Sequence, residues 1–330
     1  MIYTIGEMLI DFVAHEKGRP LKDVSGFTKI AGGAPANVAA ATARLGGRSA
    51  LISQVGKDAF GDFLLETLKD AGVAVHMIRQ TSKAKTGLAF VSVMENGERD
   101  FSFYRNPSAD LLLEPHQVDT AAFSSTDILH FCSVGLVESP MQSTHRHVIT
   151  QMKERGGLIS FDPNVRLSLW ENPAHCREAI LEFLPKAHLV KVSDEELAFI
   201  TGRSNVKEGI ASLFVGDVQA VLFSKGPNGA ELITKAGTYR HPGFTVVVED
   251  TTGAGDAFVG GFLYQLQKKN ITRDSLLPAI SRYHEELLRT ANGCGALTAM
   301  GKGAIDSLPG LDRLEQFIGK ERCHEFEGFI

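Results

Sequence analysis

The sequence predicts an α/β protein: a doubly wound, mostly parallel sheet flanked by helices, with a small β-sheet lid. Two observations carry that expectation. Short apolar runs alternate with longer amphipathic ones along most of the 330 residues, the rhythm of βαβ units. The rhythm breaks twice, at 13–30, which holds no convincing helix, and at 87–105, where two alternating runs flank Asn96-Gly97. Asn-Gly between such runs is the strongest short hairpin signal. An ordinary surface hairpin is the simpler form of the same pattern.

In chain order, the opening Met1-Ile2-Tyr3-Thr4-Ile5-Gly6 is a strand pattern that runs on through Glu7-Met8-Leu9-Ile10, placing Asp11 at its end. Further strands are expected at 50–55, 128–132, 158–161, 189–192 and 220–223. Helices are expected at 58–71, 141–155, 176–184 and 194–201. A β-rich run at 245–248 stops at Glu249-Asp250, and a helical pattern follows over 257–266. Residues 321–330 lack periodicity and are expected to be a peripheral tail. No repeat or linker divides the chain, so one domain over 1–330 is expected, with the lid inserted from about 13–30 and 87–105.

Composition points to a soluble cytoplasmic enzyme. The hydrophobic fraction of 43% is that of a globular protein, and no apolar run is long enough to span a membrane. The first residues lack the basic and cleavage patterns of a signal peptide. A net charge of −5 argues against a nucleic-acid partner. Cys132, Cys176, Cys294 and Cys323 are scattered and are expected to be reduced thiols. There is no Walker A motif, no G-x-G-x-x-G, no H-E-x-x-H and no nucleophile elbow.

The densest chemical signal is Glu249-Asp250-Thr251-Thr252-Gly253-Ala254-Gly255-Asp256-Ala257-Phe258. The small side chains at Gly253, Ala254 and Gly255 leave backbone N–H groups open to an anion at a helix start, where the dipole adds positive charge. Asp256 sets a carboxylate within one turn of that pocket. A base beside an oxyanion site suits phosphoryl transfer to an alcohol. Alone, Gly-Ala-Gly-Asp is more often a glycine turn before an ordinary helix. A distant second signal reverses the balance: Gly32-Gly33-Ala34-Pro35-Ala36-Asn37, a diglycine leading into a small-residue helix that Pro35 can start.

Together these stretches resemble the two signatures of the ribokinase-like (PfkB) family of sugar kinases, in the same order and at the same ends of the chain. The resemblance runs from Gly6 to Pro309 and implies a ribokinase-like fold with a β-lid over the sugar. In many members two lids pack as a homodimer. It places Asp11, Gly32, Gly33 and Asn37 on the sugar, although Asp11 alone is as often a strand-end cap. Glu138 holds a similar strand-end position, where an exposed loop glutamate is the plainer reading. Asp162-Pro163-Asn164-Val165-Arg166 resembles the substrate-facing segment of the fructokinase and 2-keto-3-deoxygluconate kinase branch, which brings in Asn164 and Arg166. Arg105 either reaches over the substrate or is a solvated lid arginine.

On the nucleotide side the resemblance implicates Lys191, Ser193 and Glu196, with Glu196 meeting magnesium through water. Serine stands where many members have asparagine, and Ser193 and Glu196 also have capping-box spacing. Lys225, Gly226 and Gly229 resemble the turn that receives ATP, and Asn292 lies in the stretch bordering adenine. Asp250 and Thr252, with Thr298, Gly301, Gly303 and Ser307, are implied ligands of a potassium ion; alone, Asp250 is a strand-end cap.

The resemblance therefore implies an enzyme using ATP and Mg²⁺, with K⁺ as a further cofactor, and most closely a fructokinase with Asp256 as base. 2-Keto-3-deoxygluconate and aminoimidazole riboside are the alternative acceptors. A catalytically silent sugar-binding regulator is the reading from another class.

Overall fold

The computed structural model describes residues 1–94 and 99–327. Its first strand, β1 (Ile2–Ile5), is apolar, partly β-branched and buried throughout. The chain then breaks at Gly6, leaves this strand's sheet and starts β2 (Leu9–Ala14) in a second one. After β3 (Phe27–Gly32) it enters α1 (Ala34–Arg44), whose Pro35 lies in the first turn. β4 (Ser49–Gly56), α2 (Ala59–Asp70) and β5 (Ile78–Thr81) follow, then β6 (Gly87–Val93) and β7 (Arg99–Tyr104). Four strands alternate next with helices: β8 (Ile128–Cys132), α3 (Pro140–Glu154), β9 (Leu158–Asp162), α4 (Pro173–Phe183), β10 (Leu189–Ser193), α5 (Asp194–Thr201), α6 (Val206–Ser212) and β11 (Ala220–Ser224). β12 (Ala230–Thr234) and β13 (Gly237–His241) form a hairpin before α7 (Ala254–Lys268), α8 (Leu276–Ala299) and α9 (Leu311–Glu327).

The large sheet has nine strands in the order β13-β12-β11-β10-β9-β8-β1-β4-β5. It is parallel from β11 to β5, and the β12–β13 hairpin adds an antiparallel edge. Both faces are covered, as parallel sheets require. Phe131, Phe161, Val190 and Phe223 face α3, α4 and α5. Ile2, Ile128, Leu158 and Leu222 face α7 and α8. From β1 the order runs outward to β4 and β5, then resumes at β8 on the other side of β1. Ligands of such sheets bind beyond the carboxyl ends at that switch. The lid is a four-stranded sheet, β3-β2-β6-β7, in which β2 and β6 run parallel.

Small residues set how closely the helices approach. A Cβ on Gly260 of α7 would lie 2.5 Å from the Ala41 Cβ of α1, and one on Gly261 would lie 2.7 Å from Cys294 of α8. The alanine-rich helix after the diglycine therefore packs tightly against the helix that carries Asp256.

Several expectations change. Asp11 does not end the first strand: the break at Gly6 moves it into β2 of the lid, opposite Ile30, and leaves Glu7 beyond the end of β1. The run 245–248 is not a strand. It finds no neighbour to pair with, and Val247 is 87% exposed. Its end is held instead by Glu249 N–H donating to Ala299 O at 2.9 Å. Part of the expected tail is helical, since α9 runs to Glu327, and 328–330 lie outside the described residues. The Asn96-Gly97 turn also lies outside them, although β6 and β7 pair antiparallel on either side of it. Cys132, Cys176 and Cys294 are free and buried.

Candidate active site

The start of α7 is shaped by its glycines. Gly253 has φ 77°, the left-handed region, and a Cβ there would lie 2.8 Å from that of Ala304. At Gly255 a Cβ would meet nothing within 4 Å, so space opens in front of the first turn. The Ala254 N–H turns back to Thr251 O at 3.2 Å. Helix starts leave N–H groups without intrahelical partners, and here they border that space.

Asp256 lies in the first turn of this helix and is 7% exposed. Its carboxylate accepts from Asn37 Nδ2 at 2.8 Å and from Asn164 Nδ2 at 3.1 Å. Three segments distant in sequence thus meet at one carboxylate. Burial raises its pKa above the ordinary aspartate value, opposed by the Asn37 bond, the Arg166 and Lys191 charges and the Asn164 bond. The result is an oriented carboxylate with an elevated proton affinity, which suits a general base.

Asn164 is itself held from below. It takes the left-handed φ of 43°, and its N–H donates to Asp162 Oδ1 at 3.0 Å. Asp162, buried at the end of β9, receives Lys191 Nζ at 3.2 Å, and Glu196 lies 3.6 Å from the same ammonium. Glu196 also accepts from Val165 N at 2.7 Å, Ser193 N at 2.9 Å and Ser193 Oγ at 2.8 Å. The capping box of α5 therefore forms, and the same glutamate closes a buried charge cluster. Burial pushes Asp162 up to about 7 despite Lys191. Burial works against the Lys191 ammonium, yet Asp162 and Glu196 raise its pKa. Burial likewise opposes the charge on Glu196, but Lys191 and the N–H donors bring its pKa below the ordinary value. Lys191, expected on the nucleotide side, is thus directed at two carboxylates.

On the sugar side, a Cβ at Gly32 would overlap the Asp11 carboxylate, and one at Gly33 (φ 111°) would lie 2.5 Å from Glu7 O. Both glycines are needed for β2 and the start of α1 to come this close. Arg105 is not a solvated lid arginine. It is buried at the root of β7 and paired with Asp110, which also accepts from Ser108 Oγ. Arg166 is exposed, with Nη1 donating to Val165 O at 3.0 Å, and its charge reaches Asp256. Glu138 is exposed and joins no hydrogen bond or ion pair among the described residues.

On the other side, Lys225 pairs with Glu231 at 2.9 Å, and Gly226 and Gly229 both have positive φ. The Asn292 amide donates to Leu288 O at 2.8 Å within α8, so that donor is turned into the helix. Asp250 accepts from Thr252 N at 2.9 Å and Thr252 Oγ1 at 2.7 Å through one oxygen, and from Gly303 N at 3.1 Å through the other. Ser307 Oγ donates to Gly303 O at 2.5 Å, and Gly301 N to Thr298 O at 3.1 Å. A Cβ at Gly301 would lie 2.8 Å from the Ser307 Cβ. All six expected cation residues thus fall in one connected loop system behind Gly253.

Sequence reasoning passed over Glu7, Asp162 and Asp110. The Asp-x-Asn spacing was a usable signal for Asp162, since an aspartate two residues before a left-handed asparagine commonly accepts its N–H. Nothing local distinguished Glu7 or Asp110 from loop acids.

The chain matches the pfkB family of carbohydrate kinases over residues 1–311. It is 43% identical over 310 residues to probable fructokinase-4 of Arabidopsis thaliana, covering 94% of each chain. The crystal structure of a fructokinase from Xylella fastidiosa with bound ATP has a TM-score of 0.87 at 35% identity, covering 97% of this chain and 98% of that one. A double mutant of the fructokinase of Vibrio cholerae O395, bound to fructose, ADP and potassium, has a TM-score of 0.83 at 36% identity, covering 96% and 97%. Motif order, sheet topology, the doubly anchored Asp256 and these likenesses agree: the chain belongs to the pfkB family of carbohydrate kinases.

Proposed function

We propose that this protein is an ATP-dependent fructokinase, passing the γ-phosphoryl group of ATP to a hydroxymethyl group of fructose. The observation that carries the reading is the Asp256 carboxylate, held by Asn37 and Asn164 beside the open first turn of α7. Asp256 takes the proton as the hydroxyl attacks in line, and the Gly253 and Gly255 N–H groups hold the developing negative charge, that of Ala254 being turned to Thr251 O. Asp11, Gly32, Gly33, Asn37 and Asn164 orient the sugar, and the lid excludes water that would hydrolyse ATP. A bound magnesium ion would supply neutralisation of the charge on the transferred phosphoryl group. Glu196, whose oxygens accept from Val165 N, Ser193 N and Ser193 Oγ, would be the residue to meet that ion through water. Lys225, Gly226 and Gly229 belong to the ATP side.

The Arg105–Asp110 pair favours fructose over 2-keto-3-deoxygluconate. An acceptor carboxylate needs a cation, and Arg105 is engaged while Arg166 lies at the surface. The test is ADP release with Mg-ATP and potassium across fructose, 2-keto-3-deoxygluconate, aminoimidazole riboside and no sugar. Fructose is expected to give the highest kcat/KM; turnover confined to another acceptor would move the assignment, and silence on all of them would favour a sugar-binding regulator.

The loop of Asp250, Thr252, Thr298, Gly301, Gly303 and Ser307 fits a potassium ion. Its donors are oxygens, and Thr298 Oγ1 is buried there with no hydrogen-bond partner. Its neighbour Ala304 packs on Gly253, so charge in this loop bears on the anion pocket. Replacing potassium with choline at constant ionic strength is expected to lower kcat/KM by about tenfold. An unchanged rate would remove the cation from the proposal.

We place the enzyme in the cytoplasm, since its net charge is −5 and no helix among the described residues is long and apolar enough to cross a membrane. The lid is the proposed homodimer surface: Phe101 and Phe103 stack on it, and Tyr104 is 63% exposed.

A further inference from the structure

Glu7 has no part in the chemistry proposed above, yet it stands where the two sheets join. Four segments cross between the large sheet and the lid, at 6–8, 32–33, 86–87 and 105–108. Glu7 lies in the first and is 3% exposed. Its Oε1 accepts from Ala34 N at 3.1 Å, which fixes the diglycine turn of the second. Its backbone carbonyl is the atom a Cβ on Gly33 would strike. Its Oε2 is buried without a hydrogen-bond partner, as are Nε of Arg105 and Oδ1 of Asn37.

Arg105 comes from the fourth segment, and its charge acts on Glu7. A Cβ on Gly87, in the third, would lie 3.3 Å from Arg105 Cγ. Asp110, from the short 3-10 helix after the lid, is the other carboxylate facing this arginine. One guanidinium and two carboxylates thus sit among all four crossings.

We infer that Glu7 is a positioning residue for the sugar, tying the diglycine turn to the root of the lid through its charge toward Arg105. This rests on the fructokinase reading. Asn37 is on α1, directly after the turn that Glu7 caps, so a change at Glu7 moves the sugar-facing amide and the lid base together. The residues placed on the ATP side above, Lys225, Gly226 and Gly229, lie in neither segment. The carboxylate also works at the edge of its charged range. Burial pushes Glu7 up to about 7, while Arg105 and its N–H donors lower it and Asp110 raises it. Cys132 is a further titratable group that senses its charge. Protonation near neutral pH turns Glu7 into a neutral acid that no longer attracts Arg105.

The test is steady-state kinetics of Glu7→Gln beside the full-length wild type, with folding checked by circular dichroism. At pH 8 the fructose KM is expected to rise by about tenfold, while the Mg-ATP KM stays within about twofold. The ratio of variant to wild-type fructose KM is expected to shrink toward one at pH 6, where the wild-type carboxyl is protonated. A purely structural role gives a pH-independent ratio or moves both KM values, and either result overturns the inference. Glu7→Asp keeps the charge but shortens the reach to Ala34. It is expected to raise only the fructose KM, and it decides the question should Glu7→Gln not fold: a rise in both KM values, or in neither, overturns the inference. A wild type that does not turn over fructose overturns the fructokinase reading, and this inference falls with it. Wild-type turnover with an unaltered variant overturns this inference alone.

Discussion

Asp256→Asn is expected to cut kcat by about 10²–10⁴, the usual contribution of a positioned base, with the fold and sugar binding retained. The substitution is isosteric and keeps one carbonyl oxygen for either the Asn37 or the Asn164 amide; the other amide, which donates to the second carboxylate oxygen, loses its acceptor. What it removes is the acceptor of the hydroxyl proton. The pH profile is a second readout. The base acts deprotonated, and burial raises its pKa above that of an ordinary aspartate. Wild-type kcat/KM is therefore expected to fall as pH drops, beginning at a higher pH than a free aspartate would give. The variant's residual rate should not follow this limb. Near-full turnover from a folded Asp256→Asn protein would end the assignment of the base.

Lys191→Met is expected to have the largest effect on stability. It strips the cation from Asp162 and Glu196, both largely buried, and breaking such a cluster typically costs about 3–5 kcal/mol. The cost should depend on pH in a stated direction. Asp162 already has its folded pKa pushed up to about 7 by burial. Without Lys191 the buried carboxyl favours its proton more strongly still, whereas the unfolded chain titrates near the ordinary aspartate value. A group with a raised folded pKa loses its stabilising effect as pH rises through that pKa. The urea midpoint of the variant should therefore drop further below wild type at pH 8 than at pH 6. Equal drops at both values would overturn this linkage to Asp162. Activity should fall as well, because Asp162 holds Asn164 and Asn164 holds Asp256. If Lys191 instead served chiefly as a phosphate ligand, the Mg-ATP KM would rise while stability held.

Much of this site was legible because its chemistry is carried by local sequence. Gly253 before Asp256 and Gly33 before Asn37 stand where a positive φ and a close neighbour leave no room for a side chain. The strands expected at 128–132 and 220–223 were legible because parallel strands covered on both faces read as short, nearly continuous apolar runs. The expected strand at 245–248 failed for the opposite reason. β-branched composition favours an extended chain, but a strand needs a neighbour, and among the described residues none pairs with these valines.

The charges were the hardest part to anticipate. A sequence shows the charged side chains of Arg105, Lys191 and Glu196 without showing the buried partners that face them. Asp110 lies five residues from Arg105, while Asp162 lies 29 residues from Lys191, and only chain folding reveals either pairing. Glu7 had no signal at all, since its importance depends on Gly6 breaking the strand and on four crossings meeting at one point.

By itself, the sequence determined the class of fold, the anion-binding helix start and the carboxylate beside it, because propensity, glycine freedom and the helix dipole act within a few residues. The tertiary structure alone decided which side chains reach Asp256, which cations are already taken by buried acids, and how the lid is joined to the sugar turn. Those depend on desolvation and on contacts between segments as much as 219 residues apart, such as that of Asn37 with Asp256.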